Sequence, residues 1–197
     1  MHIGGARIGA ALVLVALHAA TTEGIVAQEA AVVPYGVRNS AAPVELDAFS
    51  FLVGKWNGIA KVRLENGDYA EHDLVWIGRY VLDGMAIADE GYSVGPGGAL
   101  TLGGYTIRFF DPTSRSWNID FVNVASSFVR RQVNPRTGSV QLEGTSVVVS
   151  ARDDTAMARE YYELPSKDSF VYRIALSRDG GKSWDTGAYE MTMTRVE

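Results

Sequence analysis

The chain has 197 residues, no cysteine and a formal charge of −5 at pH 7. The acidic balance argues against a broad electrostatic footprint for nucleic acid or anionic lipid. Without cysteine there is no disulfide scaffold, no thiol chemistry and no cysteine-linked lipid anchor, so the chain must be held by its core.

Residues 1–27 read as a signal peptide. Arg7 supplies a short basic region, Ile8 to Leu17 is an apolar run too short to cross a bilayer comfortably, and Ile25-Val26-Ala27 precedes an acceptable cleavage point at Gln28. Cleavage there predicts a secreted or periplasmic protein of one domain with no integral membrane segment. It also leaves His72 as the only histidine, which restricts multi-histidine zinc sites and Ser-His-Asp catalysis. No cofactor and no metal are expected.

Residues 28–42 lack periodicity and read as a flexible leader, and residues 43–197 as a single domain. Within Val44 to Leu52, Leu46, Phe49 and Leu52 repeat at roughly helical spacing, which predicts a short helical plug for one end of a barrel.

After Gly54 the texture becomes runs of aromatic and β-branched residues separated by turn chemistry. Strands are expected near residues 55–64, 69–80, 84–93, 100–110, 116–124, 128–133, 139–150, 156–163, 169–177 and 185–195. Asn66-Gly67, Asp83-Gly84, Asp111-Pro112, Asn134-Pro135 and Gly180-Gly181 fall between runs. Such short connections fit antiparallel neighbours, since parallel strands need long crossovers. A meander of about ten strands removes its two exposed edges by closing, so the expected fold is an all-β, antiparallel up-and-down barrel. The loop Gly95-Pro96-Gly97-Gly98 is either a flap beside one mouth or a tolerated insertion.

The segment Phe49-Ser-Phe-Leu-Val-Gly54-Lys-Trp56 resembles the Gly-x-Trp opening of lipocalins and related calycin barrels, closest to the exported bacterial nitrobindin-like families. The resemblance implies that a late basic residue packs over the tryptophan, and Arg195 is placed to do so. Nitrobindin-like relatives that bind haem use a late histidine, which this sequence lacks. His72 falls in the second strand, where a solvent-facing side chain is expected.

Ser177-Arg-Asp179-Gly-Gly181-Lys-Ser-Trp184 matches an Asp-box once, which implies a stable hairpin and not glycosidase chemistry. Adjacent carboxylates such as Asp89-Glu90 and Asp153-Asp154 point to opposite faces of a strand and cannot act together.

Arginines inside apolar runs, at Arg108, Arg130, Arg131 and Arg173, need an anion if buried. Asp120 or Glu143 would serve as a structural partner, or a ligand carboxylate would be held bidentately. Tyr105, Phe109, Trp117 and Phe121 line a cavity if the apolar face of their strands points inward and the barrel is wide; if it is narrow, they fill it.

Three functions stay open at this level. One is a barrel binding a small apolar or amphipathic ligand through Trp76, Tyr105, Arg108, Phe109, Trp117, Phe121 and Arg130. Another is a packed structural or partner-binding barrel. The third is a metal-independent enzyme using an interior carboxylate, drawn from Asp73, Asp89, Asp120 and Glu143.

Overall fold

The computed structural model describes residues 36–124, 132–134, 137–152 and 157–196. The expected signal peptide, most of the leader and Arg130 with Arg131 lie outside them.

Leu46, Phe49 and Leu52 are spaced by three, the period at which side chains eclipse in a 3-10 helix. Val44–Leu52 is such a helix, and all three residues are fully buried. Burial of each contributes about 1.5–3 kcal/mol, which offsets the poorer hydrogen-bond geometry of a nine-residue 3-10 segment. Gly78 lets this plug approach the wall, because a Cβ there would meet the Leu52 carbonyl oxygen at 2.1 Å.

Eleven antiparallel strands follow: β1 (Gly54–Arg63), β2 (Tyr69–Val81), β3 (Ala86–Val94), β4 (Leu100–Asp111), β5 (Ser116–Asn123), β6 (Gln132–Asn134), β7 (Thr137–Glu143), β8 (Ser146–Arg152), β9 (Met157–Ser166), β10 (Ser169–Ser177) and β11 (Asp185–Arg195). Each pairs with its chain neighbour except where the short β6 lies beside β5, which also pairs with β7. Pairing of β4 with β5 and of β1 with β11 closes the sheet into a ring. The expected up-and-down barrel is therefore the observed fold.

Two details differ from the expected elements. The run 139–150 is two strands, split where Gly144 takes φ +62°. Gly36 to Ala42 is no loose leader. Gly36 bridges to Tyr80, the Asn39 amide donates to the Gly84 carbonyl at 3.2 Å, and Ala42 joins the core.

Chain entry and exit are locked together at the plug end. Gly54 takes φ +128°, and the Trp56 indole N–H donates to the Leu52 carbonyl at 3.1 Å. Arg195, the cross-strand partner of Trp56, places its guanidinium carbon 4.0 Å from the indole centroid. Its Nη1 and Nη2 donate to the carbonyls of Val53 and Phe51 at 2.6 and 3.0 Å.

At the opposite end the Asp-box segment is the β10–β11 turn. Asp179 accepts from the Lys182 and Ser183 amides, each at 3.0 Å, and from the Ser177 and Ser183 hydroxyls at 2.8 and 2.6 Å. These bonds hold its carboxyl well below the usual range. The hairpin reading of the motif accounts for every one of them.

Candidate functional site

Strand pairing decides which side chains face the interior. Trp76, Trp56 and Arg195 form one cross-strand row of the inner wall, Met193 and Phe170 are neighbours in the next, and Ile87, Arg108 and Ile119 form another. In β4 the inward residues are therefore Thr106, Arg108 and Phe110, and in β5 they are Trp117, Ile119 and Phe121.

This parity corrects part of the expected ligand wall. Tyr105 and Phe109 alternate with Arg108 and lie on the outer face, opposite Val122 and Asn118. The more apolar face of β4 points outward because Arg108 finds its counter-charge inside. Trp76, Trp117 and Phe121 do face inward, and Arg130 lies outside the described residues. Arg173 is on the outer face, held by Glu190 at 2.6 Å and Glu163 at 2.5 Å.

Arg108 anchors a polar strut across the interior. Its Nη1 donates to Asp89 and its Nη2 to the Tyr162 hydroxyl at 3.1 Å, and that hydroxyl donates to Glu160 at 3.1 Å. Asp89, Arg108 and Glu160 are each 2% exposed. The partner of Arg108 is thus Asp89, not Asp120 or Glu143. Its two Nη atoms serve Asp89 and Tyr162, so its counter-charge comes from within the barrel.

Of the four candidate carboxylates, Asp89 faces inward, whereas Asp73, Asp120 and Glu143 fall on the outer face by register. Burial pushes the Asp89 carboxyl up to about 6, against the opposing Arg108 charge and hydrogen bonds from Arg108 and Thr106. Burial also works against the Arg108 charge, but Asp89, Tyr162 and Glu160 outweigh it and raise its pKa. Burial raises the Tyr162 phenol well above its ordinary value. Glu160 was missed in the sequence because Arg159-Glu160 reads as a solvated pair; its alternation with buried Ala158 and Tyr162 was the available signal.

The strut separates two unlike halves. On the plug side Phe49 lies against Trp117, Tyr162 and the Arg108 guanidinium, and the space is filled. Away from the plug, the inward-facing Val62, His72, Phe121, Tyr172, Ile174 and Tyr189 are all only half-buried. They form an aromatic and aliphatic cup. Tyr172 links it to the core, 4.9 Å from Tyr162 and 6.1 Å from Tyr189 between ring centroids. Burial pushes the Tyr189 phenol up to about 12. His72 was expected to face solvent from the outer wall; it pairs with fully buried Ala60 and faces inward.

Among the described residues no group of three or more His, Asp or Glu is gathered to hold a metal ion. A separate cleft of about 330 Å³ opens at the plug end, lined by Phe51, Trp56, Leu164 and the hydroxyls of Thr145, Ser166 and Ser169. The strut residues do not line it.

A plugged ring of up-and-down strands with a tryptophan capped by a late arginine is a lipocalin-like β-barrel. Solved structures share this fold, among them the following two. Rv2717c from M. tuberculosis superposes with a TM-score of 0.55 at 10% identity, over 79% of this chain and 99% of that one. The S-type phycobiliprotein lyase CpeS from Guillardia theta superposes with a TM-score of 0.51 at 15% identity, over 77% and 92%. No protein-family model matches the chain. No curated protein matches it either.

Proposed function

We propose that this barrel binds a small apolar or amphipathic molecule in the cup between the polar strut and the end away from the plug. The carrying observation is the contrast along one inner wall. Phe121, Tyr172 and Tyr189 are half-buried, while Phe49, Trp56, Trp117, Phe170 and Met193 in the plug half are buried. Apolar side chains left accessible inside a concave wall, with a few polar groups beneath them, are the usual make-up of a small-molecule site. The likeness to a phycobiliprotein lyase is compatible with such a role.

Native mass spectrometry of the protein from its source, followed by solvent extraction, tests the reading. A stoichiometric small molecule supports it. An empty protein that also takes up no member of a panel of fatty acids, isoprenoids and porphyrins overturns it.

We propose further that the chain is exported and cleaved after Ala27, on the strength of the basic and apolar pattern of residues 1–27. N-terminal sequencing of the mature protein that begins at Gln28 supports this; an intact Met1 in a cytoplasmic fraction overturns it.

A further inference from the structure

Trp76, Gly91, Gly104 and Asn123 form one cross-strand row on the inner wall, running from β2 to β5. Phe121 folds over Gly104, where an added Cβ would lie 2.6 Å from its ring. Gly91 is different. A Cβ built on it meets nothing within 4 Å, and its backbone is not in the left-handed region. The wall is hollow at that point, between the side chains of Trp76 and Phe121. The strands that carry Trp76 and Gly104 are two spacings apart, about 9.6 Å, enough for a flat group to lie over Gly91.

The unpaired polarity inside the barrel is one-sided. Inside the barrel, the buried side-chain atoms without a hydrogen-bond partner among the described residues are both donors, Trp76 Nε1 and Arg108 Nε. Trp76 is only 8% exposed, so its N–H is withdrawn from bulk water. A buried donor without an acceptor is costly, and a ligand oxygen would relieve that cost. Charge narrows the choice further. Arg108 is already held by Asp89, so an anionic group entering beside that pair would meet a carboxylate.

We propose that the ligand is a neutral carbonyl compound whose flat, carbonyl-bearing end sits over Gly91, with Trp76 Nε1 donating a hydrogen bond to its oxygen. This rests on the cup reading above and adds the class of ligand and its orientation.

Equilibrium dialysis with three probes of one shape tests it: 2-acetonaphthone, 2-isopropenylnaphthalene, in which a methylene replaces the carbonyl oxygen, and 2-naphthoate. The wild-type protein is expected to bind the ketone about tenfold more tightly than the alkene or the carboxylate, the scale of one net hydrogen bond. Trp76→Phe should erase the ketone–alkene difference. Gly91→Leu should weaken all binding by at least about tenfold while keeping the wild-type urea midpoint, because its side chain enters open space.

Equal wild-type binding of ketone and alkene, or a folded Gly91→Leu that binds like wild type, overturns the niche while leaving the cup standing. Uptake of none of the three probes by a protein that also fails the wider ligand panel overturns both.

Discussion

Arg108 and Asp89 form an ion pair in the middle of the barrel, donated from β4 to β3 and sealed from solvent on both sides. Such a pair adds little net stability over a hydrophobic isostere, yet removing one member strands a buried charge. Arg108→Met should therefore cost about 3–5 kcal/mol at neutral pH. The double variant Arg108→Met with Asp89→Leu should recover most of that loss. Urea midpoints of the four proteins in this cycle provide the check, and additive losses would contradict the pairing.

Burial of Asp89 sets a pH dependence. The folded Asp89 carboxyl titrates near 6, above its ordinary 3.8, so between these values the folded state holds the proton more tightly than the unfolded chain. The resulting stability is present below about pH 4 and lost as pH rises through 6, a contribution of up to about 3 kcal/mol. Asp89→Asn should lack this slope. Denaturation at several pH values between 4 and 7 measures it, and identical profiles for the two proteins would refute the assignment.

At the plug end, Arg195→Ala removes a cation–π contact and two hydrogen bonds to carbonyls. A loss of about 2–4 kcal/mol is expected, with a red shift in Trp56 emission as water reaches the indole. Guanidinium denaturation followed by fluorescence reads both effects.

The Asp-box turn is a local device. Asp179→Ala should speed hydrogen exchange at the Lys182 and Ser183 amides, whose acceptor it removes. Exchange in the paired interior of β1 and β11 should not change.

Inner and outer residues should separate cleanly in binding. Phe121→Ala and Tyr172→Ala are expected to weaken a bound ligand about tenfold each. Tyr105→Ser and Phe109→Ser, on the outer face, should leave affinity unchanged. A titration with any ligand recovered from the native protein distinguishes these groups.

The legible features were local ones. Turn residues and strand-length apolar runs specify a meander, and a meander of this length closes to satisfy its edges. The Leu46, Phe49, Leu52 spacing marked the plug, and Gly54-Lys-Trp56 with Arg195 marked the seal; both lie where expected. Within β5, alternation alone put Trp117 and Phe121 on one face, and that face is inward.

The inward face of β4 was settled by tertiary pairing. By apolarity Tyr105, Ile107 and Phe109 belong inside, yet Arg108 is inside, because Asp89 on β3 and Tyr162 on β9 meet it there. A strand's period of two offers two faces, and the choice between them rests on residues far away in the chain. The inward His72 and the hollow over Gly91 were beyond local reading for the same reason: each depends on what the closed ring brings opposite it.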